Sequence, residues 1–376
     1  MLATVRELSL DNGLQVIVKE AHSAPVTSLW LWYRAGSRNE SEGHTGIAHW
    51  VEHMMFKGSR QFPKGAIMRA VDRLGGYVNA MTSNDFTAYY ATLPSDRAEL
   101  ALKIESDRMT GALFDPAEME AERTVILAER EASENNPRFV LAEALLAAAF
   151  HFHPYHHQTI GWRDDLRHVT RDALWSYYQE YYQPSNAVLV VVGDLDTDRC
   201  LARVERYFGH LRGAALPDHE VPAEPPQHGE RRVTLHMPGA APLVRISYRT
   251  PPVSHPDYIP LVVLDGILSG GKAMFAFGDS QARSARLYRA LVETQLAASA
   301  GSDYHPSLDP YMLTLGATVR NGRTLAEVEE ALSAEVARLC DKSVTERELA
   351  MAIRQTQAPF AYSSERVTHQ ALAIGF

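Results

Sequence analysis

Cysteine is scarce here: Cys200 and Cys340 are the only two in 376 residues. Two thiols so far apart make no metal-binding pattern and no disulfide framework, so a bound metal would have to be held by histidine and carboxylate. Long apolar runs are missing too, and no stretch reaches the roughly 18 residues of a membrane span. The opening MLATVRELSLDNG has no apolar core of the kind a secretory signal carries. The expected compartment is therefore the cytoplasm, or the periplasm if a leader has been removed. Basic excess is absent, since the formal net charge is −9, and that disfavours non-specific nucleic-acid binding. With 45% hydrophobic and 22% charged residues, the chain has the composition of a soluble globular protein. Its length suits two or three domains of about 100–200 residues each.

Along the chain, VRELSLDNGLQVIVKE and VTSLWLWYRAG read as strands, the first split by a turn at Asp11-Asn12-Gly13. PKGAIMRAVDRLGG is a short helix stopped by glycine. YVNAMTSNDFTAYYATLP is a strand pair around Ser83-Asn84-Asp85. Helices are expected over about 95–111, 116–134, 138–150 and 171–182, then the apolar strand NAVLVVVGDLD and a helix ending near Leu211. Residues 213–230, rich in proline and charge and without periodicity, read as an exposed linker. After it the pattern restarts with strands RRVTLHMP and LVRISYRTPP and helices DYIPLVVLDGILSGG and ARLYRALVETQ. Strands LAASAGSDY and YMLTLGATV and a helix at about 324–340 follow. The expected fold class is α+β: two structurally similar α/β domains, each a mostly antiparallel sheet packed with helices. Residues 1–212 form the first, 213–230 the linker and 231–376 the second, which lacks a counterpart to 171–212 and is expected to be incomplete.

The chemistry centres on GIAHWVEHMMFKG. His49 and His53 are one helical turn apart, with Glu52 beside them. Two imidazoles on one helix face supply two corners of a tetrahedral zinc site; a third ligand and water complete it. The alternative is a surface helix with chance histidines. Ile47, Ala48, Trp50, Val51, Met54, Met55 and Phe56 oppose it, because a helix so apolar is buried and a buried Glu needs a partner. In FDPAEMEAERTVILAERE, Asp115 caps a helix that Pro116 opens, and Glu122 and Glu129, seven apart, face the same way. That face could turn toward a cation, or the helix could be a solvated acidic one, since Glu118, Glu120 and Glu131 crowd beside them.

His49-Trp50-Val51-Glu52-His53 followed by MMFKG resembles the inverted zincin motif H-x-x-E-H of the pitrilysin/insulinase family of zinc metallopeptidases, which includes the β subunit of mitochondrial processing peptidase. NGLQVIVKE, GGYVNAMTSNDFTAYY, ERTVILAE and HPYHHQTIGW add to the likeness, which is specific over about residues 5–200 and weaker beyond. The resemblance implies one Zn2+ per chain. It makes Glu129, 76 residues after His53, the third ligand, and Glu122 the carboxylate that orients a ligating histidine. It implies Glu52 as the general base of a zinc-dependent endopeptidase. Such a metal site lowers the pKa of a bound water to about 7, and a base beside it takes and returns the proton. Peptide substrate would join the edge strand YVNAMTS near Asn79 and Ala80, with Phe56 lining a pocket or, equally, packing in the core. The family's domains make up half of a clamshell chamber.

One family feature is missing. Single-chain and homodimeric members usually carry an Arg and a Tyr seven residues apart in the second half; alignment on RALVETQLAASAG puts Leu291 and Ala298 there. Arg286, Arg289 and Tyr304 lie near at other spacings, and the glycines Gly270-Gly271 precede an unusual KAMFAFGDS. The expectation is a homologous subunit without zinc that supplies the Arg/Tyr pair, making this chain the catalytic half of a heterodimer; the alternative is a local substitute. The rival functional class is a non-catalytic peptide-binding or structural subunit of a larger complex. The histidines of HFHPYHH (His151, His153, His156, His157) are either a second metal site or a loop whose rings pair with backbone or water.

Overall fold

The DNG turn closes the first hairpin. Gly13 takes φ +88°, and β1 (Val5–Ser9) pairs antiparallel with β2 (Gln15–Glu20). In the computed structural model, which describes residues 5–213, 221–239, 241–272 and 282–376, the chain divides into two compact units. The first comprises Met1–Asn136, Leu146–Arg232 and Arg366–Phe376, the second Pro137–Leu145 and Val233–Glu365.

The first unit is built on a six-stranded sheet that adds β3 (Val26–Tyr33), β4 (Tyr77–Thr82), β5 (Thr87–Pro94) and β6 (Ala187–Gly193) in the order β1-β2-β6-β3-β5-β4. The pairing of β2 with β6 is parallel and the others are antiparallel. Every residue of β6 is buried, as suits a strand covered on both faces. Alternation splits β3 between the two faces. Leu29, Leu31 and Tyr33 join the main core with Val16, Val18, Leu189, Val191 and Tyr89. That core is closed by apolar side chains of α1 (Ile47–Met54), α2 (Ala66–Asp72), α3 (Glu99–Gly111), α4 (Pro116–Glu134) and three further helices. The elements that follow are α5 (Pro137–Ala149), which opens in the second unit's share of the chain, α6 (Arg163–His168), α7 (Arg171–Tyr181) and α8 (Thr197–Phe208).

The second unit holds β7 (Leu243–Thr250), α9 (Tyr258–Ser269), a π-helical turn Tyr288–Glu293, β8 (Ala297–Tyr304), β9 (Tyr311–Val319), α10 (Leu325–Asp341) and α11 (Glu346–Ser363). Its antiparallel sheet runs β7-β9-β8. That repeats the order β3-β5-β4, in each case with helix between the first and second strands. The chain then returns to the first unit as α12 (Val367–Gly375). This helix covers the other sheet face, where Trp30, Trp32, Val188, Val190 and Val192 meet Val367 and Ala371.

One expectation changes. No strand forms over residues 231–237. Val233 and Leu235 are 46% and 40% exposed, so no sheet surface takes up their apolar side chains, and Arg231 instead donates to the carbonyls of Ala148 and Ala149. The helix expected over ARLYRALVETQ forms, with π-helical winding over Tyr288–Glu293. Residues 221–230 have no regular structure, yet Glu224 is anchored, accepting from the backbone N–H groups of His151, Phe152 and His153 at 2.8–3.2 Å. Among the described residues no helix is long and apolar enough to cross a membrane.

Candidate metal centre

Helix α1 is short, and its apolar residues Ile47, Ala48, Trp50, Val51 and Met54 are buried. It is started by Gly46 at φ +86°. This seating leaves His49 and His53 on one face, ring centroids 4.6 Å apart. Burial, with His53 adding, depresses His49 to about 3, so its imidazole is in the neutral, ligating form at working pH. The His49 Nδ1 is buried without a hydrogen-bond partner among the described residues.

Helix α4 brings the acids. Asp115 accepts from the N–H groups of Ala117 and Glu118, with Pro116 at the first position. Seven residues make two turns, so Glu122 and Glu129 project alike. Glu122, buried, places one oxygen 2.8 Å from His53 Nδ1 and the other against the Lys57 ammonium. With Nδ1 so engaged, His53 Nε2 faces Glu129 Oε2 at 3.8 Å. That is too long for a hydrogen bond. It is near the roughly 3.3–3.6 Å that separates two ligands each about 2.0–2.2 Å from one tetrahedral ion. One ligand atom from each of His49, His53 and Glu129 lies within 4.8 Å of the others, the one such convergence among the described residues. Two imidazoles and a carboxylate, with a carboxylate behind one ring, suit zinc.

Glu52 lies beside this group. Thr82 at the end of β4 donates to its Oε2 at 2.5 Å. Burial raises its carboxyl above the ordinary glutamate range, and the Thr82 bond and the charge of His53 pull the other way. Beneath, the buried Arg108 guanidinium pairs with Glu105 at 2.6–2.8 Å and lies over the rings of Tyr89 and Phe56 at 4.2 and 4.9 Å. Phe56 packs against the core. Ala80 shares its strand face with Thr82 by the period of two, and Asn79, on the opposite face, donates to the Tyr77 hydroxyl at 2.9 Å. Beyond β4 no further strand is paired among the described residues, so its outer edge is open beside α1.

Thr82 and Lys57 were not singled out in the sequence. The signals were there: Thr82 follows Ala80 by two in a strand, and Lys57 follows His53 by one helical turn. The second histidine cluster forms a loop paired with backbone. His153 Nδ1 accepts from the Tyr155 N–H, and the ring nitrogens of His156 and His157 meet the carbonyls of His153 and Gln158. In the second unit Leu291 is fully buried and Ala298 exposed, and neither offers a donor. Arg286 is tied to Glu348 at 2.9 Å, and Tyr304 packs in that unit's core. Of KAMFAFGDS, residues 273–280 lie outside the described residues, while Lys272 pairs with Asp265 at 2.8 Å.

The family model described as insulinase (peptidase family M16) matches residues 15–162, and that described as peptidase M16 inactive domain matches 168–356. The zinc protease PqqE of Helicobacter pylori is 30% identical over 353 residues, 91% of this chain and 76% of the relative. The mitochondrial-processing peptidase subunit beta of Bos taurus is 30% identical over 92% of this chain and 70% of its own length. A solved structure, a protease from Helicobacter pylori, superposes with a TM-score of 0.90 at 27% identity, covering 100% of this chain and 89% of that one. Across both of its halves, then, this chain belongs to the insulinase family of peptidases, M16.

Proposed function

We propose that the chain is a zinc-dependent endopeptidase acting on extended or unfolded peptides. The observation that carries the proposal is the convergence of His49, His53 and Glu129 within 4.8 Å, with Glu52 alongside. His49, His53 and Glu129 would hold one Zn2+, which supplies an activated water and polarises a carbonyl. Glu52 is the general base. It takes a proton and returns it to the leaving amine, and its raised carboxyl suits both directions. Glu122 keeps His53 in the tautomer whose Nε2 faces the site. The open edge of β4 receives the peptide as an added strand, with Asn79 and Ala80 close to the scissile bond and the partly buried Phe56 lining a pocket.

Leu291 and Ala298 give no donor to a developing oxyanion, so the heterodimer reading stands as part of the proposal. A homologous subunit without the metal motif supplies the Arg/Tyr pair, in line with a relative named as a beta subunit of a processing peptidase. The experiment is hydrolysis of an unstructured peptide by the zinc-loaded chain and by Glu52→Gln. Turnover is expected to vanish in the variant while its zinc stays. A variant that cleaves like the parent removes Glu52 from the mechanism. A zinc-bearing parent that binds peptide yet never cleaves it, with or without partner, favours the non-catalytic alternative, to which the description of the second half as an inactive domain lends weight.

A further inference from the structure

The first turn of α1 is capped from outside the helix. Gly46 precedes the helix at φ +86° and has no side chain to offer. A Cβ there would stand 2.4 Å from the carbonyl oxygen of Ile160, so no capping residue can replace it. Helix N–H groups left unpaired and buried are costly. Glu40 takes two of them, its Oε2 accepting from Gly46 and its Oε1 from Ala48, each at 2.8 Å. The Glu40 side chain is 0% exposed. Burial pushes this carboxyl well above the ordinary glutamate range, and the bonds from Ala48 and Gly46 pull the other way.

A second layer packs around that carboxyl. His157, also buried, has Nε2 3.6 Å from Glu40 Oε2, beyond hydrogen-bond reach. Its Nδ1 lies 3.0 Å from the Gln158 carbonyl, which can only accept, so Nδ1 carries the hydrogen. Next along the chain, the Thr45 N–H and hydroxyl both donate to Asp165 Oδ2, at 3.1 and 2.6 Å. The same loop ties the turn after β4, where the Tyr155 hydroxyl donates to Asp85 at 2.5 Å.

We infer that Glu40 is a positioning residue of the metal site. By gripping the turn that ends at Ala48 it sets the direction of His49, the next residue, and so the geometry of the three-ligand cluster. The HPYHH loop packs against this corner through the buried His157 ring. The inference rests on the zinc reading above. A glutamine at position 40 offers one acceptor and an unwanted donor where two acceptors are needed, whereas Asp keeps both acceptors on a shorter arm.

The test compares wild type, Glu40→Gln and Glu40→Asp for zinc affinity by chelator competition, for kcat and KM with an unstructured peptide, and for melting of the metal-free protein. In Glu40→Gln zinc affinity is expected to fall roughly tenfold or more and kcat to fall with KM little changed. Glu40→Asp should recover part of both. A folded Glu40→Gln that binds zinc and turns over like wild type, with only its melting temperature lowered, overturns the inference. So does failure of both variants to fold without metal, which would make Glu40 a residue of the fold alone. A wild type that binds no zinc instead defeats the underlying reading.

Discussion

Glu52 and Glu122 are both half or more buried and only a few residues' breadth from the ligand cluster, yet their surroundings give them different tasks. Glu122 has each oxygen committed, one to His53 Nδ1 and one to Lys57, so it can orient but not shuttle protons. Glu52 has one oxygen on the Thr82 hydroxyl and a carboxyl raised by burial, which leaves it able to exchange a proton. Glu122→Gln should therefore lower zinc affinity about 10–100-fold, the usual loss when such a supporting partner is removed; unchanged chelator competition would contradict that assignment. Thr82→Val should leave zinc content intact and lower kcat. A hydrogen bond to a charged group contributes about 1.5–3 kcal/mol, so the fall is roughly tenfold or more. A fall in bound zinc with kcat per zinc preserved would instead make Thr82 a structural neighbour of the cluster. Residue identity and spacing pointed to His49 and His53 as candidate ligands, because an imidazole pair on one helix turn has few other uses, whereas Glu129 was singled out by the resemblance. Thr82 and Lys57 were hidden because a hydroxyl or an ammonium acquires its role only from the partner that strand register and helix packing bring to it.

At the scale of elements, α1 and α4 were legible for different reasons. Asp115-Pro116 opens α4, and the apolar run around His49 and His53 marks α1 as buried, while Gly46 as its start was not singled out in the sequence. Gly46→Ala should destabilise this corner severely. The left-handed backbone costs about 1–2 kcal/mol for a side chain, and the added carbon would meet the Ile160 carbonyl. Zinc affinity and melting temperature are expected to fall together, and an alanine variant with parental values for both would show that α1 starts elsewhere. The strand expected over 231–238 was illegible for another reason. RRVTLHMP alternates well, but a strand needs a neighbour to take its backbone groups, and no local pattern reveals whether one exists. In α11, Arg286 holds the Glu348 carboxyl down to about 2, with the Thr345 cap helping. A carboxyl whose folded value lies below its unfolded one stabilises the fold above the unfolded value, 4.5, and loses that contribution as pH falls toward about 2. Between those pH values the wild-type melting temperature should drop more steeply than that of Glu348→Gln. Parallel curves would mean that the pair contributes nothing to the second unit.

Over the whole molecule, the restart of the pattern after residue 230 signalled two related units, and β7-β9-β8 does repeat β3-β5-β4. The return of α12 to the first unit was not signalled, since a helix sequence shows its apolar face but not which of two sheets will receive it. The second unit repeats that strand order, and the alignment the resemblance gives puts Leu291 and Ala298, whose side chains donate nothing, at the Arg and Tyr positions. The chain alone should then be slow, and a homologous subunit bearing the Arg/Tyr pair should raise kcat by about 10²–10³, the effect of one oxyanion donor. Full activity of the isolated chain would contradict the two-subunit account. Everything else depends on one ion between two helices, which anomalous diffraction at the zinc edge from zinc-loaded crystals tests most directly. The account predicts a single strong peak about 2.0–2.2 Å from ring nitrogens of His49 and His53 and from a Glu129 oxygen. Crystals with no peak there, or with Glu129 turned away from a peak held by other residues, would contradict it.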